Sequence, residues 1–388
     1  MWWFLLQIII GISFWVPVLL FVIGKFRKKK RLSLDEKEKE PFDYAIVVTA
    51  YQQVGLIEHV VQSILNIKYN NYLIYVVADN CDVSGFHISH GKLRILQPPN
   101  VLASNIRSHF YAIENFEREH DIITIIDSDN LVSADYLTEL NVFFAAGYKA
   151  VQGVRKAKNL NTVYACLDEA GDIYYRYVDR KLSFDAGSSA SLAGSGMAFL
   201  VDIYKKCLKE KHMSGAGFDK VLQYELLKRN EQIAFAEKVV VYDEKTAKSD
   251  QLVKQRARWI NTWFRFWILG LRMMISSVAK LNWNQFAFAL MLMRPPLFLM
   301  MLIVGVLCLV NIFVSPWMLI YWGITLLVFA GIFAKALRYF KADQEIYKSI
   351  KYAPRFMFYQ FIALLKAKKA NKISVATQHD ESSYKNNL

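Results

Sequence analysis

The sequence predicts an α/β domain with a mostly parallel sheet, joined to transmembrane and interfacial α-helices. Three observations predict it. Short β-branched runs alternate with segments of helical periodicity across the middle of the chain, the pattern of a parallel sheet with right-handed crossovers. Long apolar segments lie at the N-terminus and late in the chain, with enough length to cross a bilayer. Basic residues gather beside those segments, where membrane-surface charge belongs.

Residues 2–23 are apolar apart from Gln7, Ser13 and the small or helix-bending Gly11 and Pro17. A helix of that length spans a hydrocarbon core of about 30 Å. Six of the seven residues from Lys25 to Arg31 are basic, so the N-terminus is expected outside and the chain enters the cytoplasm near Lys25. Residues 1–24 thus form a transmembrane helix and 25–42 a basic, charged linker. Strands are expected at 45–49, 72–77, 93–96, 122–127, 150–154, 233–235 and 239–241, with helices near 58–66, 104–118 and 163–182. Another helix opens at Gly217-Phe218-Asp219. Together these make a cytoplasmic domain over 43–252. The stretch 253–283 mixes aromatics with Arg265 and Arg272, which suits helices lying in the interface. Residues 297–314 and 317–334 are two further spans within 284–334, and the turn between them carries no Lys or Arg, so it lies outside. A basic tail, 335–388, holds a short apolar patch at 356–365 that is interfacial rather than spanning.

Hydrophobic residues make up 54% of the chain, above the globular norm. The net charge of +14 flanks membrane segments, which argues against a nucleic-acid partner. The four cysteines are far apart, so no disulfide framework or zinc site is expected and a reduced compartment fits. His87 and His90 read as solvated loop residues, and Arg107 and His109 as solvated helix residues. The turn after the first strand lacks G-x-G-x-x-G, and the chain lacks a P-loop signature.

The residues that suggest chemistry are carboxylates at strand ends. The run Ile122–Asp127 ends in Asp127-Ser128-Asp129. Two carboxylates one residue apart repel and call for a cation such as a divalent metal carrying a diphosphate. Alone, they fit an Asp/Asn turn equally well. Asp79 closes the neighbouring strand, Gly194-Ser195-Gly196 forms a small-residue loop, Asp219 opens a helix, and Gln255-Arg256-Ala257-Arg258-Trp259 follows. In this order the motifs resemble the membrane-embedded family 2 glycosyltransferases, the group of cellulose, hyaluronan and poly-N-acetylglucosamine synthases, over roughly residues 44–259. The Q-x-x-R-W element is the most specific piece.

The resemblance implies a GT-A fold, Rossmann-like with a mixed, mostly parallel sheet. It implies that Thr49, Ala50 and Tyr51 cradle the nucleotide, although Gln52-Gln53 stand where the family has Asn-Glu. Asp79 then contacts the base, Asp127 binds mainly the nucleotide at its ribose, Ser128 lies in the nucleotide-sugar-binding set between them, and Asp129 binds the metal, Mg2+ or Mn2+. Gly194, Ser195 and Gly196 form the loop near the acceptor. Asp219 is the catalytic base, preceded by Phe218 where the family has Glu; Glu225 is the fallback. Gln255, Arg258 and Trp259 hold the diphosphate and the acceptor end. The implied activity is inverting transfer from a nucleotide-sugar, UDP favoured over GDP, to a glycan or lipid-linked acceptor. The expected setting is a bacterial-type inner or plasma membrane, with membrane lipid as a partner and an oligomer or export-channel subunit left open. A catalytically inactive nucleotide-sugar-binding subunit is the alternative. A transporter fits poorly, since the late spans carry no charged residue at mid-depth.

Overall fold

The structure, a computed structural model, describes residues 2–28, 32, 41–52, 54–209, 211 and 216–369. Gln53, most of the linker and the end of the basic tail lie outside the described residues.

In chain order the elements are α1 (Trp2–Phe26), β1 (Tyr44–Tyr51), α2 (Ile57–Leu65), β2 (Tyr72–Asp79), β3 (Leu93–Leu96), α3 (Asn105–Glu114), β4 (Ile122–Asp127), β5 (Leu131–Val132), α4 (Tyr136–Ala145) and β6 (Ala150–Ala157). Then come α5 (Val163–Tyr175), a π-helical segment (Arg176–Leu182), α6 (Ser183–Asp185), β7 (Met197–Leu200), α7 (Val201–Leu208), α8 (Phe218–Lys228) and β8 (Ile233–Asp243). The chain ends in helices: α9 (Ser249–Ala279), α10 (Trp283–Met293), α11 (Leu297–Val314), α12 (Pro316–Tyr339), α13 (Gln344–Ser349) and α14 (Ala353–Lys366). The elements divide between two compact units, one within Lys30–Asn159 and Ala190–Lys245, the other within Met1–Lys29, Leu160–Ser189 and Thr246–Asn371.

The first unit is built on one eight-stranded sheet in the order β3-β2-β1-β4-β7-β6-β8-β5. The β1–β4 half is parallel, as its β-branched runs predict. Strand β2 is buried along its whole length, so it reads as a continuous apolar run with no polar face. Helices α2 and α3 cover the sheet with apolar stripes at helical spacing: Ile57, Val60, Val61 and Ile64 on α2, and Ile106, His109 and Ile113 on α3. Strand β7 runs antiparallel to both β4 and β6, and β8 spans the two expected late strands in one piece with an irregularity opposite Gln152 and Val154 of β6. The sheet is therefore mixed.

The second unit is helical. Helices α1, α11 and α12 are the three long and apolar enough to cross a membrane among the described residues. Helix α11 has the expected bounds, and α12 runs five residues beyond the expected end, through Tyr339. The expected interfacial stretch is one 31-residue helix, α9, which packs on α10 and α14. The seven residues from Arg176 to Leu182 are wound as a π-helix, a rare geometry that is frequent at functional sites.

Candidate active site

The register of the sheet assembles the site. Thr49 on β1 lies opposite Asp127 on β4, and Tyr51 lies opposite Asp79 on β2. Three parallel strands thus end side by side, and the carboxyl ends of such strands are where open α/β sheets take ligands.

The backbone at this edge is strained. Gln52, Asn80 and Ala103 have positive φ values of 61°, 53° and 45°, a region that side chains avoid. All three converge on Asp79. Its carbonyl accepts from the Gln52 amide at 3.2 Å, and Asn80 follows it directly. Its carboxylate, 2% exposed, accepts from the amides of Leu102 and Ala103 at 2.9 and 2.7 Å. Asp79 therefore holds the loop after β3 against the ends of β1 and β2. Strain of this kind, about 1–3 kcal/mol per residue, persists only where surrounding contacts enforce it and gathers at functional sites.

Asp127 is the last residue of β4, and Ser128 and Asp129 form the turn behind it. The Asn130 amide closes the turn on the Asp127 carbonyl at 3.0 Å. Below it, the buried Ser195 hydroxyl accepts from the Asp127 amide at 3.0 Å and from the Asn130 side chain at 2.7 Å. The G-S-G loop is thus joined to the D-S-D turn. Gly194 and Gly196 sit at φ +87° and +66°, where a Cβ would be strained, and that conformation turns Ser195 under the turn. Gln152 of β6 fixes the loop, donating to the Ser195 carbonyl at 3.1 Å and accepting from the Ala193 amide at 2.8 Å.

One residue that sequence reasoning missed is Lys158. Only 4% of its side chain is exposed, and it donates to the Asp129 carbonyl at 2.9 Å. Burial lowers its pKa, while Asp129, Glu244 and Asp243 act the other way. Asp243 closes β8 and binds Arg155 at 2.6 Å; Arg155 also donates to the Ala193 carbonyl at 2.6 Å. The signal was present: charges at the ends of β6 and β8 repeat the pattern that singled out Asp127.

Asp219 lies in the first turn of α8, half-buried, with the Lys220 ammonium 3.2 Å from its carboxylate. Gln223 on the same helix accepts from the Leu192 amide at 3.2 Å, so α8 is tied to the G-S-G loop and through Ser195 to Asp127. Glu225 is paired to Lys211 at 3.0 Å and to Arg229. Its burial raises its pKa, but those two cations outweigh it and leave the value lowered; such a committed carboxylate is a poor fallback base. His109 is not solvated. It is fully buried, its Nδ1 lies 2.6 Å from the Tyr204 hydroxyl, and its ring packs on Phe218 with centroids 5.2 Å apart. Burial pulls its pKa down to about 3, so it is neutral. Arg107, by contrast, is exposed.

Gln255, Arg258 and Trp259 lie on α9 in the helical unit. Gln255 accepts from the Thr246 hydroxyl at 3.0 Å. Burial lowers the pKa of Arg258, though a guanidinium stays charged under any such shift. Trp259 is 48% exposed, with the Arg256 guanidinium 4.2 Å from its ring centre; Arg256 is in turn ion-paired to Asp168.

The Asp127 and Asp129 carboxylates suit a hard divalent cation: they offer oxygen donors on a turn whose backbone is already fixed from both sides. Both side chains are partly exposed rather than sealed in the core, so a solvated cation can reach them.

A family model described as "Glycosyltransferase like family 2" matches residues 41–262. No curated protein matches the sequence. Among solved structures, mannosyltransferase PcManGT from Pyrobaculum calidifontis in complex with GDP-Man and Mn2+ aligns with a TM-score of 0.54 at 13% identity, covering 93% of this chain and 98% of that one. S. aureus TarS 1-349 in complex with UDP-GlcNAc aligns with a TM-score of 0.41 at 11% identity, over 60% of this chain and 66% of that one.

Proposed function

The chain belongs to glycosyltransferase-like family 2 and has the GT-A fold, and from that premise we propose an inverting sugar transfer at a membrane. The donor is a nucleotide-sugar, UDP-linked in preference to GDP-linked. The acceptor is a glycan or a lipid-linked saccharide, and the product bond is β. The subtype is that of the cellulose, hyaluronan and poly-N-acetylglucosamine synthases. The reading is best supported by the meeting of Thr49, Asp79 and the Asp127-Ser128-Asp129 turn at one sheet edge, with Ser195 latching the turn.

In this reading Thr49, Ala50 and Tyr51 cradle the nucleotide, Asp79 shapes the base side, Asp127 meets the ribose, and Ser128 binds the nucleotide-sugar beside it. Asp129 would hold Mg2+ or Mn2+, which when bound would supply charge to offset that developing on the leaving diphosphate. Lys158 keeps the Asp129 backbone in place. Asp219 accepts the proton of the acceptor hydroxyl as that oxygen attacks the anomeric carbon. Attack opposite the diphosphate inverts the centre, so an α-linked donor gives a β-linked product. Gln255, Arg258 and Trp259 serve the diphosphate and acceptor end, where a guanidinium fork and an indole face suit phosphate and a sugar ring. Helices α1, α11 and α12 cross a bacterial-type inner or plasma membrane with the N-terminus outside, leaving the sheet unit and the tail cytoplasmic.

The test gives purified protein in detergent a panel of radiolabelled UDP- and GDP-sugars with Mg2+ or Mn2+, beside Asp129→Asn and Asp219→Asn. Metal-dependent transfer or donor hydrolysis is expected from one donor class, reduced on the order of 10²-fold or more in both variants. Tight nucleotide binding with no turnover of any donor would overturn the reaction and leave a binding subunit.

A further inference from the structure

A cleft of about 490 Å³ opens at the basic end of α1, lined by Val22, Ile23, Phe26, Arg27, Ala186 and Trp283. That volume lies within the range of small-molecule sites, roughly 300–1,000 Å³. Its wall is almost wholly apolar and continuous with the exposed apolar face of α1 above it, where Leu19, Phe21 and Val22 reach the surface. Arg27 is the charged residue of the lining. Its guanidinium lies against Gly187, in the space a Cβ would occupy, and Gly187 itself sits at φ +83°. The floor is rigid: Trp283 donates to the Ala186 carbonyl at 2.8 Å, and Ser188 and Ser189 bond to Asn284 at 2.8 and 2.9 Å. Asp185, two residues before Gly187, is ion-paired to Lys181. Lys25 and Lys28 add exposed positive charge beside Arg27.

An apolar slot with a guanidinium at its mouth, on the last turn of a span, complements an amphiphile with a chain and an anionic head. A guanidinium grips phosphate oxygens through two parallel hydrogen bonds. A tryptophan with an apolar face and a tethered N–H is at home at the membrane–water boundary. We propose that this cleft binds an anionic phospholipid, with one acyl chain against Val22, Ile23, Phe26 and Trp283 and the phosphate on Arg27. The proposal rests on the reading of α1 as a membrane span.

Tryptophan fluorescence of the full chain in mixed micelles tests it, using phosphatidylglycerol or phosphatidylcholine brominated on the acyl chains. A Trp283→Phe variant isolates the quenching that belongs to Trp283. The expected result is Trp283 quenching at about fivefold lower mole fraction of phosphatidylglycerol than of phosphatidylcholine. Arg27→Gln, at an exposed position, should abolish that preference, and Arg27→Lys should keep part of it. Equal quenching by both lipids, or a preference unchanged in Arg27→Gln, overturns the lipid site and leaves the span reading intact. Absence of quenching by either lipid removes the span reading along with it.

Discussion

Ser195 shows how a loop residue can carry a site. Its hydroxyl satisfies the Asp127 amide and the Asn130 side chain beneath the proposed metal turn. Ser195→Ala leaves both donors unpaired in a buried place, at a cost of about 1–3 kcal/mol for each. The expected outcome is a lower melting temperature together with weaker nucleotide binding, read by thermal melting and calorimetry; unchanged values for both would remove Ser195 from the latch. His109 gives a pH signature. Burial holds its folded pKa near 3, below about 6.5 in the unfolded chain. Between those values the unfolded chain binds a proton that the folded one refuses. The stability is therefore complete above about pH 6.5 and falls as pH drops, by about 2–3 kcal/mol at pH 4.5. Melting curves at pH 7 and 4.5 should show this loss, and His109→Phe should flatten it; an equal slope in both proteins would contradict the assignment. His109 was open to sequence reading, because Ile106, His109 and Ile113 share one helical stripe. Its polarity masked that spacing. Lys158 was open to it too, as a charge at the end of β6, but the latch of Ser195 onto Asp127 and Asn130 was not, since those partners lie many residues away.

At the scale of elements, strong periodicity carried through and short pairing did not. The β1, β2 and β4 runs and the apolar length of α11 match their expected bounds closely, because burial on both faces, or a composition fit to cross a bilayer, leaves a continuous apolar record. Strands β5 and β7 hold two and four residues, too few to show a period, and β7's antiparallel direction is set by its neighbours. The π-helical turn likewise leaves no mark in a 3.6-residue pattern. Gln7 stood out, with Ser13, as a polar residue of the first candidate span, and the structure supplies its reason. It accepts from Trp322 at 2.7 Å and from Asn311 at 2.6 Å, while Trp3 donates to Asn311 at 3.1 Å. One polar knot thus joins α1, α11 and α12. Asn311→Leu should destabilise the helical unit by about 0.6 kcal/mol and by no more than about 1.7, the mean and the maximum measured for side-chain hydrogen bonds within a membrane protein. Denaturation in mixed detergent micelles reads that value; a variant as stable as the parent would show that the knot adds no stability.

For the molecule as a whole, charge location was more informative than charge sum. Basic sets at residues 25–31 and 335–372 flank apolar segments, while Asp79, Asp127 and Asp243 close strands of the sheet. That separation is what the proposed reading needs, with candidate membrane spans in one unit and the nucleotide-sugar site in the other. The composition could show that such a division exists, but not that residues 160–189 join the helical unit, which depends on packing between distant segments. The central claim is the division of labour between Asp129 and Asp219, one for the cation and diphosphate, one for the acceptor proton. Calorimetric titration of UDP and GDP, with and without Mn2+, into the parent protein, Asp129→Asn and Asp219→Asn tests it most directly. The expected result is cation-dependent binding of one nucleoside diphosphate, equal in the parent and Asp219→Asn and weakened about tenfold or more in Asp129→Asn, a loss of about 1.4 kcal/mol or greater. Equal affinity in the parent and Asp129→Asn, or a matching loss in Asp219→Asn, would contradict it.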